Sequence, residues 1–96
     1  SLRALGEVRA EAGAGVEIIL DSGILSGADI ISALALGADF TLIGRAYLYG
    51  LMAGGREGVT RAIELLAAEV RTAMQLMGCA TIADVKASGQ VRAPWL

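Results

Sequence analysis

Val16-Glu17-Ile18-Ile19-Leu20 runs directly into Asp21-Ser22-Gly23-Ile24-Leu25-Ser26-Gly27, and Phe40-Thr41-Leu42-Ile43 runs directly into Gly44-Arg45. Each apolar run has the length of a strand, and each turn leads into a helical pattern, so the two motifs predict consecutive strand-to-helix turns. In a parallel α/β fold such turns share one rim, beside helix N-termini whose free N–H groups and dipoles attract anions. Gly23 and Gly27 let the backbone approach a ligand closely, and Arg45 brings a forked cation suited to phosphate. The pair reads as a phosphate-binding rim. From these residues alone, Asp21 equally caps its own turn, and Arg45 has a plain alternative as half of a surface ion pair.

Outward from this stretch the pattern stays α/β. Leu2, Leu5, Val8 and Ala12 recur at helical spacing with Arg3, Glu7, Arg9 and Glu11 between them, predicting an amphipathic helix over 2–12 that ends at Gly13 and Gly15. The strand at 16–20 shows no polar alternation, as expected of a parallel strand covered on both faces. Ser26 and Asp29 stand in capping-box spacing before a helix that buries Ile30, Ile31, Leu34 and Ala35, with Gly37 at its C′ position. A second strand is predicted over 39–43. Gly50, Gly54, Gly55 and Gly58 loosen the chain before a long helix over 57–77. Its apolar stripe is Val59, Ile63, Leu66, Val70, Met74 and Met77, while Arg61, Glu64, Glu69, Arg71 and Gln75 form a solvated face. Gly78 stops that helix, Thr81 caps a short one through Val85, and the tail holds Pro94 and Trp95. Tyr47 and Tyr49 read as packing residues of a loop.

Composition narrows the classes of function. Hydrophobic residues make up 55% of the 96 positions, with a mean hydropathy of +0.62, and charged residues only 19%. A chain this short has a high surface-to-volume ratio and should need more polar surface, so much of its surface is expected to be covered by other polypeptide. A net charge of −2 leaves no basic footprint for nucleic acid and no polybasic membrane patch. No apolar run reaches the roughly 18 residues of a membrane helix, and nothing at the N-terminus resembles a signal peptide. Cys79 stands alone and fits a reduced, cytoplasmic protein; no metal-ligand cluster is visible, and no histidine is present to serve as base or ligand.

The order α-β-α-β-α-α contains two parallel βα units and no internal boundary. Two parallel strands cannot close a barrel, and a (β/α)₈ TIM barrel typically takes about 250 residues. Residues 1–96 therefore read as the C-terminal quarter of one such barrel domain. A small open α/β domain is the competing reading, and it would leave both sheet edges unpaired.

Asp21–Gly27, Ala33-Leu34-Ala35-Leu36-Gly37-Ala38 and Gly44-Arg45-Ala46-Tyr47-Leu48-Tyr49-Gly50-Leu51 resemble the FMN-dependent α-hydroxy acid oxidases and dehydrogenases. That family includes glycolate oxidase, L-lactate oxidase and dehydrogenase, and mandelate dehydrogenase. Gly55, Gly58-Val59 and Gly78-Cys79-Ala80-Thr81-Ile82-Ala83-Asp84 continue the likeness, which spans residues 2–85 in order and spacing. The resemblance implies that Asp21, Ser22, Gly23, Ile24 and Leu25 meet the ribityl chain and phosphate of FMN, and that Gly44 and Arg45 complete the phosphate site. It also implies a departure, because the family usually carries Arg where this chain has Leu25.

The resemblance further implies oxidation of a small L-2-hydroxy acid of lactate or glycolate type to the 2-oxo acid. The family's catalytic His and its substrate-binding Arg precede this segment, so no catalytic residue is assigned within the 96 positions, and the segment alone should be silent. The expected partners are the remainder of the barrel or further copies of the chain, in a homo-oligomer, with contacts centred on Ile18, Leu20, Phe40, Leu42 and the Val59–Met77 stripe. Two alternatives stay open. One is another flavin or phosphate-gripping barrel, of the type 2 isopentenyl diphosphate isomerase kind. The other is a non-catalytic fragment that survives by self-association.

Overall fold

In the computed structural model, which describes residues 2–89 and 91, the elements run α1 (Leu2–Ala12), β1 (Ile19–Asp21), α2 (Gly27–Ala35), β2 (Phe40–Leu42), α3 (Arg45–Met77) and α4 (Ile82–Ala87). Pro94 and Trp95 lie outside the described residues. The two strands pair in parallel, with Ile19 opposite Phe40, Leu20 opposite Thr41 and Asp21 opposite Leu42. Both are shorter than the runs 16–20 and 39–43 predicted, and β1 starts later and ends on Asp21. The approach to β1 is held by two side chains as well as by the backbone at β2, whose Asp39 and Phe40 N–H groups donate to the Ile18 carbonyl at 2.8 and 3.3 Å. Val16 gives its carbonyl to Arg9 at 2.8 Å, and Asp39 takes the Ile18 N–H at 2.9 Å.

Arg9 is the centre of that arrangement. Its guanidinium donates to the carbonyls of Gly13 and Val16, to Gly37 through Nε at 2.9 Å and Nη2 at 2.7 Å, and to Asp39 Oδ2 at 2.6 Å. Helical periodicity places Arg9 among the polar residues of α1, and the structure instead turns it inward onto the α2–β2 turn. Lys86 of α4 holds the other Asp39 oxygen at 2.5 Å. The Lys86 ammonium, the Ile18 N–H and the Arg9 guanidinium together hold the Asp39 carboxyl far below the usual carboxylate range.

Apolar burial falls into two clusters on either side of α2. Leu5, Leu20, Ile24, Ala33 and Ala38 pack between α1, β1 and α2. Ile31, Leu34 and Val85 pack with Val70, Met74 and Met77 between α2, α3 and α4. Ser26 forms the complete capping box with Asp29 that its spacing predicts, and Thr81, expected as a cap, forms a second complete box with Asp84.

Helix α3 is two helices in succession. Gly54 (φ −151°) and Gly55 (φ 60°) break it, and the second half then folds back against the first. The crossing is at Gly50 and Gly58, where a Cβ on Gly50 would stand 2.5 Å from the Gly58 carbonyl oxygen. Tyr47 and Tyr49 therefore sit on a helix and not in a loop, and they are exposed.

One face of the sheet is uncovered. Leu20 is 8% exposed, whereas Ile19, Phe40 and Leu42 are 56%, 58% and 50% exposed. The surface expected to meet other polypeptide is thus corrected at β1. Ile18 and Leu20 serve the chain's own core, because the pleat turns Leu20 toward the helices and Ile19 away from them. The long-helix stripe is likewise divided: Leu66, Val70, Met74 and Met77 pack internally, and Ile63 is exposed. Among the described residues, no helix is long and apolar enough to cross a membrane.

A carboxyl whose folded pKa is depressed stabilises the fold above its unfolded pKa, about 3.9, and that contribution fades as pH falls toward the folded value. Asp39→Asn should therefore be less stable than the parent at neutral pH, with the gap shrinking below about pH 4. Urea midpoints across pH measure it, and a gap independent of pH would show that the charge of Asp39 contributes nothing.

Candidate functional site

The two strand-to-helix turns lie side by side at the C-terminal ends of the paired strands, but their helices begin differently. At α2, the extended Ser26 accepts the Asp29 N–H on Oγ at 3.1 Å. Asp29 Oδ2 accepts from Ser26 at 3.1 Å and from Leu25 at 2.9 Å. Glu69, arriving from α3, accepts the Gly27 N–H on Oε1 at 3.0 Å. The positive end of this helix is therefore already occupied by two carboxylates of the chain.

Gly27 has a different purpose from the one its motif suggests. It is buried, and a Cβ there would meet the backbone of α3 at 2.5 Å from the Val70 nitrogen and 2.7 Å from the Glu69 carbonyl carbon. Its missing side chain admits a helix, not a ligand.

At α3 nothing comparable is present. The N-cap is Gly44, which makes no side-chain capping bond, and the first turn contains no acidic residue. Its first residue is Arg45, a cation at the positive end of a helix dipole. That placement costs stability unless an anion compensates it. A Cβ on Gly44 would meet nothing within 4 Å, so the chain itself leaves this end open.

Between the two helix starts, Ser22 (φ 116°) and Gly23 (φ 76°) turn the β1–α2 loop through two successive left-handed residues. For a serine this conformation is costly, and such strain concentrates at ligand-holding turns. The loop and the start of α3 enclose a cavity of about 150 Å³ lined by Ser22, Gly23, Ile24, Leu25, Gly44 and Arg45. Pockets for whole small molecules usually run to about 300–1,000 Å³, so this one fits a group of a ligand and not the entire ligand. Its lining offers a hydroxyl, a guanidinium and the helix's opening N–H groups, which suit a tetrahedral anion and supply no general base.

The structure thus brings together six of the seven residues singled out at these turns, the seventh being Asp21. Asp21 is exposed at the end of β1 in register with Leu42, on the uncovered face of the sheet and beside the cavity, not in its lining. Ile24 reaches the cavity from a side chain that is 4% exposed and belongs to the core. Leu25 is half-exposed at the mouth, with its N–H spent on Asp29. Glu69 is the residue that sequence reasoning missed. It lies 42 positions from Gly27, on a face whose charges mark it only as solvated, and no local signal could have paired the two.

The profile of a family described as FMN-dependent dehydrogenase matches residues 1–92. Over 88 residues the chain is 48% identical to an L-lactate oxidase of a Nostoc species, covering 92% of this chain and 24% of that protein. It is 47% identical over 78 residues to the 4-hydroxymandelate oxidase of Amycolatopsis orientalis, covering 81% of this chain and 22% of that protein. Among solved structures, a mandelate oxidase variant with the monooxide FMN adduct superposes with a TM-score of 0.84 at 44% identity, over 88% of this chain and 27% of that one. The chain spans about a quarter of the length of the relatives it matches.

Introducing a methyl group at the helix crossing should be felt directly. Gly27→Ala is expected to destabilise the protein by about 1–3 kcal/mol, the usual range for overpacking a closed contact. Chemical denaturation reads this out, and a stability equal to the parent's would mean that α2 and α3 do not approach as closely as described.

Proposed function

Because the chain belongs to the FMN-dependent dehydrogenase family, we propose that it supplies the cofactor-phosphate end of a (β/α)₈ oxidoreductase that converts a small L-2-hydroxy acid to the 2-oxo acid. The observation that carries this reading is the bare start of α3. A glycine cap, an arginine at the first helical position and no acid in the first turn make a helix end that is complete only with an anion on it. The residues present fit a phosphate group on that evidence, whatever lies beyond it.

In this reading residues 1–96 form the last quarter of a single barrel domain. Arg45 and the opening N–H groups of α3 hold the phosphate, with the Gly44 backbone at the same end. Ser22 and Gly23 close the opposite wall. The Asp21 side chain, an acceptor-only carboxylate unsuited to an anion, is assigned to the hydroxyl groups of the ribityl chain. FMN supplies the hydride-accepting chemistry when bound, and this chain's part is binding and orientation. The proton-abstracting histidine that the family resemblance implies belongs to another segment, since the 96 positions hold no histidine, and the same resemblance assigns the carboxylate anchor beside it.

The uncovered sheet face bearing Ile19, Phe40 and Leu42, and the unpaired outer edges of β1 and β2, are where the remaining strands of the barrel dock. The whole protein is read as a cytoplasmic homo-oligomer. Leu25 gives the site packing without charge, which leaves Arg45 as the one cation lining the cavity among the described residues.

Removing a charge-assisted hydrogen bond costs about 1.5–3 kcal/mol, or roughly ten- to hundredfold in affinity. Arg45→Ala in the full-length protein is expected to weaken FMN binding by that factor, whereas Leu25→Ala changes it less than about threefold. Quenching of flavin fluorescence on titrating apoprotein measures both, and an unchanged dissociation constant for Arg45→Ala would remove Arg45 from the site. The isolated 96-residue chain should also show no dye reduction dependent on lactate, glycolate or mandelate. Measurable turnover would overturn the assignment of the base to other segments.

A further inference from the structure

Helix α3 meets the cavity at its start and, further along, the loop that forms the cavity's other wall at that loop's far end. Its first residue, Arg45, forms one wall. The chain then turns at Gly54 and Gly55, packs back on itself at Gly50 and Gly58, and brings Glu69 to the start of α2. There Glu69 takes the N–H of Gly27, a buried residue whose neighbours Leu25 and Ser26 are already held by Asp29. A buried N–H must find an acceptor, and here one side chain 42 residues away provides it. Glu69 also lines, with Leu25 and Ala46, a groove of about 400 Å³ that adjoins the cavity through Leu25.

We propose that Glu69 is a positioning residue of the anion-binding rim: by accepting the Gly27 N–H it sets the loop Ser22–Leu25 at a fixed distance from the start of α3. This rests on the phosphate-site reading above. Strand pairing fixes the two turns only at their bases. The short loop beyond β1 carries two left-handed residues and has its far end tied down by Asp29 and Glu69. Asp29 closes a local turn within the same loop, so it cannot relate that loop to α3. Glu69 does relate them, because it is part of α3. What the contact requires of residue 69 is an acceptor oxygen at the right reach; a net charge is not required, since the donor is a neutral backbone amide.

The test compares Glu69→Gln with Glu69→Ala in the full-length flavoprotein. Glutamine keeps an acceptor oxygen at the same reach and should leave the FMN dissociation constant within twofold of the parent. Alanine should raise it at least fivefold and speed amide exchange in residues 22–27. Val85→Ala, which removes a buried side chain of α4 outside the lining of both the cavity and the groove, serves as the stability control. Equal weakening of FMN binding by Val85→Ala and Glu69→Ala at matched losses of thermal stability would overturn the proposal. So would equal weakening by the Gln and Ala variants, or no weakening by Ala. Arg45→Ala in the same series separates the two levels. If it binds FMN like the parent, the phosphate-site reading fails; if it weakens binding while Glu69→Ala does not, only the role of Glu69 fails.

Discussion

The grip of Arg9 on Asp39 and the Gly37 carbonyl is the constraint on which the rest of this small structure depends. Two three-residue parallel strands cannot set their own register by ladder hydrogen bonds alone, because each has a partner on one side only. The register is instead imposed at their entry ends. Arg9 holds the backbone before β1 through Val16 and the residue before β2 through Asp39, while Asp39 also takes the Ile18 N–H. Lys86 adds α4 to the same carboxylate. With the entry ends level, the exit ends are level too, and the two turns that follow face each other across one cavity.

The two ends of the strand pair divide the work of the fold. Charged groups at the entry end are satisfied by one another and by backbone carbonyls. At the exit end, among the described residues, the start of α3 is the helix end without a side-chain cap. The comparison with α2 gives this meaning. Both helices follow a strand on the same rim, yet one begins with a capping box and a distant carboxylate and the other with glycine and arginine. A locally inconsistent helix start between the capping boxes of α2 and α4 is where a ligand is expected to complete the structure.

Much of this was legible in the residues. The α-β-α-β-α-α order followed from periodicity and glycine placement. The capping box at Ser26 followed from spacing, as did the cap at Thr81, and the core role of Met74 and Met77 followed from their stripe. The shared rim followed because two apolar runs with matched turns admit few parallel arrangements. Less visible was the division of labour among the glycines: Gly23 turns the cavity loop, whereas Gly27, in the same motif, admits the backbone of α3. A glycine's tolerance is local, but what takes up the space it leaves is not.

Sequence alone determined which elements form and which residues stand at their ends, because caps, breaks and burial periodicity act within a few residues of one another. Tertiary structure decided what those end residues meet. Arg9 lies among the polar residues of α1 yet closes on Asp39 30 positions away, and Glu69 lies on a charged helix face yet caps Gly27 42 positions away. Leu20 rather than Ile19 enters the core because the pleat, once the register is set, turns one toward the helices and the other toward the open face. These outcomes depend on the distance between elements. Neighbouring residues carry no record of it until the chain has packed.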